Sequence, residues 1–262
     1  MIPLVYHKER RNKRYMIKAA FFDLDGTLVN SIGGLMTSMN MVMKKFGFKE
    51  IDEKQTKRYV GNGYQKFVES SLKAAADALY RKAEKLERKD PDTAMELEMQ
   101  ADDVLASYEE ACEEYLKVFA VHFMDNSDPY PGMIDTLEAL KARNIKLACI
   151  TNKPKVATEK TLDKAFGSGY FDYIVCDDGV IPRKPDPAGC IKVMEEFGVN
   201  KDEVIYLGDT KTDMLTAANA GLTSVGCLYG FRDRKELVDN GADYLISEPL
   251  ELIGIVDKIN GR

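Results

Sequence analysis

The chain has 262 residues, of which 45% are hydrophobic and 31% are charged, and its formal net charge is -6. These values are typical of a globular protein with one large domain or two smaller ones. The acidic balance disfavours nucleic acid as the main partner, because a phosphate backbone requires a basic binding face. No apolar run approaches the roughly 20 residues that span a bilayer, so we expect no membrane partner.

The cysteines and the N-terminal residues are expected to carry no chemistry. The five cysteines include no CxxC pair, and we interpret them as reduced thiols of a cytoplasmic protein, with Cys149 and Cys176 in the core. Residues 8–14 are basic, but no apolar segment follows them, so they do not form a secretory signal. We expect residues 1–15 to be a disordered or accessory arm, and Met16 is a candidate start of the protein.

The segment Lys18–Ser31, with the sequence KAAFFDLDGTLVNS, organises the rest of the chain. Its apolar run Ala19–Phe22 predicts a buried parallel strand, and two carboxylates follow it directly. Asp23 and Asp25 face the same side if the extended conformation persists, and Gly26 permits a close approach to a ligand. Ligands bind at the carboxyl edge of an open α/β sheet, although a simple polar turn is the alternative interpretation.

After Ser31 the pattern is helical for about 90 residues, which is well beyond an ordinary connection. Apolar spacing predicts a helix over 32–46, and a second helix is expected over 64–72. Residues 74–122 are rich in Ala, Glu and Lys, and they predict two long helices that are separated at Asp90-Pro91. We therefore expect an all-helical cap over 32–127, inserted after the first strand and placed to roof the aspartates.

From residue 128 onward, short apolar strands alternate with helices. This alternation predicts βαβ units, and hence a Rossmann-like parallel sheet with helices on both faces, formed by residues 16–31 and 128–262. The fold class is therefore α/β. The predicted strands are 145–150, 173–176, 204–207, 223–228 and 244–247, and the predicted helices are 133–143, 154–166, 187–197, 213–220 and one after Pro249.

Polar side chains follow three further predicted strands. Thr151 and Asn152 end the second strand, and Lys184 lies in a proline-rich loop after the third. Asp209 ends the fourth strand, and Asp213 lies four residues further on, which suits a hard cation if a helix begins between them. Helix capping or an exposed loop explains each feature alone, but their joint occurrence at successive strand ends favours a shared site.

In sequence order these segments resemble the four motifs of the haloacid dehalogenase-like hydrolases, over residues 17–31 and about 128–255. The resemblance implies that Asp23 is a nucleophile that forms an aspartyl-phosphate, and that Asp25 is the general acid and base. It also implies that Thr151 and Lys184 bind the oxygens of the transferring group, and that Lys184 keeps Asp23 ionised.

The resemblance also implies a magnesium ion. Asp23, the backbone carbonyl of Asp25 and Asp209 are expected to hold Mg²⁺, with support from Asp213. Two neighbours of the catalytic residues, Gly26 and Asn152, are expected to contact the substrate.

Within the family, Asp25 argues against a dehalogenase, because dehalogenases lack this acid. The helical insertion resembles a C1-type cap. Gly61-Asn62-Gly63 resembles the cap loop of phosphoglycolate phosphatases and is expected to contact the substrate, and the segment 223–231 is also similar to that subgroup. A plain interhelical turn is the alternative interpretation of the three residues, and the insertion is longer than the usual cap of that subgroup. The resemblance implies a phosphoric monoester hydrolase that acts on 2-phosphoglycolate.

Three alternatives remain open at this point. A phosphosugar mutase uses the same aspartates but returns the phosphoryl group to a sugar, and a pyrophosphatase of the same superfamily prefers inorganic pyrophosphate. A non-catalytic phospho-binding protein, akin to a two-component receiver, can also combine Asp, Thr, Lys and Mg²⁺. The expected partner is in each case a small phosphorylated molecule, and the sequence leaves open whether the protein is a monomer or a homodimer.

Overall fold

The structure is a computed structural model that describes residues 15–261. The predictions for residues 1–14 lie outside the described residues. The chain divides into two compact units, and each is described by itself. The first, which we call the sheet unit, contains the described residues up to Ser31 and those from Ser127 onward. The second, the helical unit, is Ile32–Asn126.

A sheet of six parallel strands forms the centre of the sheet unit, in the order β5-β4-β1-β6-β7-β8. Two further short strands, β2 and β3, pair antiparallel with each other. In chain order the strands are β1 (Ala19–Phe22), β2 (Val29–Asn30), β3 (Asp128–Pro129), β4 (Lys146–Pro154), β5 (Tyr173–Asp177), β6 (Val204–Gly208), β7 (Thr223–Cys227) and β8 (Tyr244–Ile246).

The strand β1 lies inside the sheet between β4 and β6, and all four of its residues are fully buried. Because successive side chains of a strand point to opposite faces, Ala20 and Phe22 join one apolar cluster and Ala19 and Phe21 join the other. A parallel strand that is covered on both faces is expected to be apolar throughout. The sequence Ala-Ala-Phe-Phe meets this requirement.

Helices cover both faces of the sheet, which confirms the predicted α/β fold. Side chains of α6, α7 and α11 contribute to the cluster around Phe22, and side chains of α8 and α9 contribute to the cluster around Phe21. The helices of this unit are α6 (Met133–Lys141), α7 (Lys155–Phe166), α8 (Ala188–Phe197), α9 (Lys211–Ala220), α10 (Arg234–Asp239) and α11 (Glu251–Asn260), with a short 3₁₀ helix at Lys201–Glu203.

Several boundaries in the sheet unit differ from the predicted ones. β4 continues to Pro154 with a register shift after Ile150, whereas the sequence predicted its end at Ile150. The helix α10 was not predicted, because six residues are too few to display a helical period. Cys149 is buried as expected, whereas Cys176 is half-buried because it lies on the edge strand β5.

The helical unit contains α1 (Ile32–Lys45), α2 (Glu53–Tyr59), α3 (Tyr64–Leu86), α4 (Pro91–Ala106) and α5 (Tyr108–His122). The expected helix over 64–72 is therefore longer than predicted. Residues 74–122 also contain a second break, at Ser107, where neither glycine nor proline gave a signal. None of the helices within residues 15–261 combines the length and the apolar character that crossing a membrane requires.

Candidate active site

Asp23 directly follows β1, the strand that lies between β4 and β6 in the sheet. Its backbone N–H donates a hydrogen bond to the carbonyl of Leu207, over 3.0 Å, so the chain is still attached to β6 at this point. The chain then turns at Gly26, where φ is +87°. A Cβ atom on Gly26 would lie 2.3 Å from Oδ2 of Asp209, so a glycine is required for this close approach.

Three buried carboxylates meet at the ends of β1 and β6. Asp23, Asp209 and Asp213 each offer an oxygen atom, and these atoms lie within 4.8 Å of one another. Burial and the nearby Asp213 raise the pKa of Asp23 to about 7, from the usual value of 3.8. Burial, Asp213 and Asp23 likewise raise the pKa of Asp209 well above its usual value. The cluster is therefore electrostatically unfavourable without additional positive charge.

Asp213 accepts hydrogen bonds through both of its carboxylate oxygens. Its Oδ1 accepts from Nζ of Lys184 over 2.7 Å and from the hydroxyl of Tyr206 over 3.3 Å. Its Oδ2 accepts from the backbone N–H and the hydroxyl of Thr210, over 3.0 and 2.6 Å. Thr210 is the N-cap of α9, and Asp213 completes its capping box. Asp213 thus connects the helix terminus to the lysine.

Lys184 is buried between two of these carboxylates. Its Nζ lies 2.7 Å from Oδ1 of Asp23 and 2.7 Å from Oδ1 of Asp213. Burial alone would lower the pKa of this amine, but Asp213 and Asp23 raise it above its usual value. The Asn152 side chain binds the backbone of Lys184 on both sides: its Oδ1 accepts from the N–H over 2.8 Å, and its Nδ2 donates to the carbonyl over 3.1 Å. The Lys184-Pro185 peptide bond is cis.

Asp25, the second aspartate after β1, also contacts a buried lysine. Nζ of Lys153 lies 2.8 Å from Oδ1 of Asp25, and Lys153 is only 5% exposed. The hydroxyl of Thr151, also buried, accepts a hydrogen bond from the Lys153 backbone N–H over 3.2 Å. Lys153 was not among the residues predicted from the sequence. Its signal was its place directly after Thr151 and Asn152, but a lysine at a strand end is usually solvated.

Two further groups orient Asp209, and neither was predicted from the sequence as a site residue. The hydroxyl of Thr27 donates to its Oδ1 over 3.0 Å, and the backbone N–H of Phe231 donates to its Oδ2 over 2.8 Å. A Cβ atom on Gly230 would lie 2.3 Å from Cβ of Asp209, so the loop after β7 also depends on a glycine. Thr27 was within reach of sequence reasoning because it belongs to the Asp-Leu-Asp-Gly-Thr stretch.

A sequence family described as haloacid dehalogenase-like hydrolase matches residues 20–227. The chain belongs to this family. Two curated relatives are both named phosphoglycolate phosphatase. The one from Nitrosospira multiformis is 30% identical over 92% of this chain and 96% of its own length. The one from Aquifex aeolicus is 28% identical over 92% of this chain and 97% of its own length.

Solved structures show the same fold. A candidate phosphoglycolate phosphatase from Lactobacillus delbrueckii subsp. bulgaricus has a TM-score of 0.77 at 24% identity, over 94% of this chain and 100% of that one. A candidate beta-phosphoglucomutase from Thermotoga maritima has a TM-score of 0.63 at 23% identity, over 92% and 99%. At these identities the likeness concerns the fold alone.

Membership in the haloacid dehalogenase-like hydrolases confirms the family resemblance and the prediction of a hydrolytic enzyme. The relatives' names also confirm the resemblance to phosphoglycolate phosphatases. The structure brings eight of the predicted site residues together at the carboxyl ends of β1, β4, β5 and β6 or in the segments that follow these strands. These residues are Asp23, Asp25, Gly26, Thr151, Asn152, Lys184, Asp209 and Asp213.

The remaining predicted residues belong to the helical unit. Gly61, Asn62 and Gly63 connect α2 to α3, and Gly63 is the N-cap of α3 with φ of +87°. Gly61 also has a positive φ, of +108°. The two glycines thus adopt backbone conformations that other residues rarely adopt, which satisfies the geometric demand of a tight turn.

The donor set of this haloacid dehalogenase-like hydrolase fits a hard divalent cation. Asp23 and Asp209 present carboxylate oxygens next to each other, and oxygen atoms are the ligands that Mg²⁺ and Ca²⁺ prefer. Burial, followed by the neighbouring carboxylates, raises the pKa of both groups and so disfavours their charged forms. A cation between the two carboxylates would offset this repulsion.

Proposed function

We propose that the chain is a phosphatase that hydrolyses a small phosphomonoester, 2-phosphoglycolate, through an aspartyl-phosphate on Asp23. The observation that supports this most is the contact of the Lys184 ammonium with Asp23, at the sheet edge where the carboxylates meet. The names of the curated relatives support the choice of substrate. The partner in this proposal is a small phosphorylated metabolite, and the enzyme acts in the cytoplasm.

In the first step, a carboxylate oxygen of Asp23 attacks phosphorus and forms the aspartyl-phosphate, while the bond from phosphorus to the ester oxygen breaks. Asp25 gives its proton to the departing oxygen, so the product leaves as an alcohol and Asp25 becomes a carboxylate. In the second step, Asp25 takes a proton from a water molecule that attacks phosphorus, and the bond from phosphorus to the Asp23 oxygen breaks. Inorganic phosphate leaves, and both aspartates return to their initial states.

Positive and polar groups stabilise the transferring phosphoryl group in this proposal. Lys184 and Thr151 bind its oxygens, and Lys184 also favours the ionised nucleophile because its ammonium contacts Asp23. Asn152 contributes by fixing the backbone of Lys184 from both sides. Gly26 lets the turn after β1 approach Asp209 and is expected to approach the substrate in the same way.

The proposed cofactor is Mg²⁺. Asp23, Asp209 and the backbone carbonyl of Asp25 would hold it, and Asp213 would support the site from behind, since its oxygens already accept bonds from Lys184 and Thr210. A bound Mg²⁺ neutralises charge on the carboxylates and on the phosphoryl oxygens. Asp209 is oriented for this role by Thr27 and Phe231.

We propose that the helical segment 32–127 acts as a C1-type cap that selects the leaving group, and that Gly61, Asn62 and Gly63 contribute to this recognition. The resemblance of Gly61-Asn62-Gly63 to the cap loop of phosphoglycolate phosphatases supports the proposal. Replacement of Asn62 by alanine is then expected to raise KM for 2-phosphoglycolate more than it lowers kcat.

The direct test is phosphate release from 2-phosphoglycolate, sugar phosphates and pyrophosphate, with and without Mg²⁺. The wild type is compared with Asp23→Asn and with Asp163→Asn, a control at an exposed position of α7. We expect Mg²⁺-dependent release that is highest with 2-phosphoglycolate, lost in Asp23→Asn and unchanged in Asp163→Asn. Release that survives Asp23→Asn would overturn the proposed nucleophile. Transfer to a second sugar hydroxyl, or a preference for pyrophosphate, would indicate a mutase or a pyrophosphatase.

A further inference from the structure

The ammonium group of Lys153 is buried in the sheet unit, yet the proposed mechanism assigns it no role. Its side chain is only 2% exposed, and its Nζ lies 2.8 Å from Oδ1 of Asp25. Burial of an ammonium in apolar surroundings is costly, and lysine is rarely buried without a charged partner. The contact with Asp25 supplies such a partner.

The fold fixes the position of Lys153 through its backbone. Its N–H donates to the hydroxyl of Thr151 over 3.2 Å, and its carbonyl accepts from the hydroxyl of Thr158 over 3.1 Å. It lies at the end of β4, beyond the register shift, and β4 is the neighbour of β1 in the sheet. The lysine therefore approaches Asp25 from a rigid element.

The two lysines of the site serve different carboxylates. Lys184 contacts Asp23 and Asp213, whereas Lys153 contacts Asp25. Asp25 is also the more accessible partner, with 22% of its side chain exposed against 11% for Asp23. In the proposed mechanism this separates a positive charge that acts on the nucleophile from one that acts on the general acid.

We propose that Lys153 is a positioning residue for proton transfer by Asp25, an inference that rests on the proposed function. When the ester bond breaks, Asp25 gives its proton to the leaving oxygen and gains a negative charge. That charge forms 2.8 Å from Nζ of Lys153, which stabilises it as it develops. The same contact holds Oδ1 in one orientation, so that Oδ2 is left to carry and transfer the proton.

This role has a consequence that depends on the substrate. A leaving group that is a strong base requires a proton as it departs, whereas one that is stable as an anion does not. Loss of Lys153 should therefore slow the cleavage of esters of basic alcohols and phenols. Esters of weakly basic phenols should be much less affected. A lysine that only supports the fold would affect all esters equally.

The test compares kcat/KM of Lys153→Met and of the wild type for phenyl phosphate and p-nitrophenyl phosphate. These esters are similar in shape, but phenol is the more basic leaving group. The ratio kcat/KM includes cleavage of the ester bond and excludes hydrolysis of the aspartyl-phosphate. We expect a loss of about 10- to 100-fold for phenyl phosphate, as part of a general-acid contribution of roughly 10²–10⁴-fold, and about threefold or less for p-nitrophenyl phosphate.

Three further variants distinguish a role of Lys153 in proton transfer from a purely structural role. Asp25→Asn should show the same dependence on the leaving group, and Lys153→Arg should recover part of the lost rate because it retains the charge. Lys155→Met is the matched control, since this lysine lies two residues further on with 60% of its side chain exposed, and it should behave like the wild type. If Lys153→Met does not fold, Lys153→Gln compared with Lys153→Arg gives the same contrast.

An equal loss on both phenyl esters, or no loss, would overturn the role of Lys153. Failure of the proposed function would give a different result: the wild type would release no phosphate, or Asp23→Asn would remain active.

Discussion

Lys184 is a single residue whose loss is expected to lower stability strongly. It is 8% exposed, and its Nζ lies 2.7 Å from both Asp23 and Asp213. Lys184→Met would leave two buried carboxylates without their cation, and removing one partner of a buried ion pair typically costs about 3–5 kcal/mol. We expect a loss of this order in the free energy of unfolding, measured by urea denaturation without divalent cations.

The control for this measurement is Lys192→Met, an exposed lysine on α8, which should change the free energy of unfolding little. Adding Asp213→Asn to Lys184→Met should recover part of the loss, because it removes one of the uncompensated charges. A loss below about 1 kcal/mol, the value typical of exposed ion pairs, would mean that the pair is effectively solvated.

The role of a site residue could be predicted from the sequence where it depended on residues nearby in the chain. Asp23 and Asp25 stand directly after an apolar run, and Asp209 and Asp213 are separated by one helical turn. The contact of Lys153 with Asp25 joins residues 128 positions apart, and it depends on the pairing and register of β1 and β4. No local pattern encodes that register, so the place of Lys153 directly after Thr151 and Asn152 was not sufficient to select it.

The N-terminus of α9 connects the stability of this helix to the site. Thr210 caps the helix and donates its hydroxyl to Asp213. We expect Thr210→Val to lower the free energy of unfolding by about 1 kcal/mol, within the range of about 0.5–2 kcal/mol for loss of an N-cap. The same variant should weaken Mg²⁺ binding, because it removes one of the groups that hold Asp213.

Thr210→Ser is the matched variant, since it keeps the hydroxyl, and it should resemble the wild type in both stability and Mg²⁺ affinity. Urea denaturation gives the first quantity, and isothermal titration calorimetry gives the second. If valine and serine at this position give the same Mg²⁺ affinity, the cap does not act through Asp213.

The elements themselves were predictable to different degrees. The alternation of apolar strands with helices was sufficient for the α/β sheet, because strands buried on both faces have to be apolar throughout. The predicted element boundaries were wrong where the usual signals were missing. Ser107 separates α4 from α5 without a glycine or a proline. The strand β4 continues through Thr151 and Lys153, although these residues are polar. Side chains that are buried by the fold of other segments cannot be recognised as buried from their own residue type.

The carboxylate cluster couples the stability of the whole molecule to pH and to metal binding. In the folded, metal-free chain, burial and the nearby Asp213 raise the pKa of Asp23 to about 7, from the usual 3.8 that applies to an unfolded chain. Between these values the folded state binds more protons than the unfolded state, so this group's contribution to stability falls as pH rises from about 4 to 7. The raised pKa of Asp209 acts in the same direction.

Other acidic groups titrate in this range, so the measurement compares the wild type with Asp23→Asn, which cannot ionise at this position. In EDTA, the free energy of unfolding of the variant should increase relative to the wild type between pH 4 and 7, by on the order of 1.4 kcal/mol for each pH unit across the window. Saturating Mg²⁺ should stabilise the wild type more than the variant, and more at pH 7.5 than at pH 5, because protons compete with the cation for the carboxylates. If the difference between the two proteins does not vary with pH in EDTA, Asp23 is already ionised in the metal-free fold. Lys184 alone would then be sufficient to balance its charge.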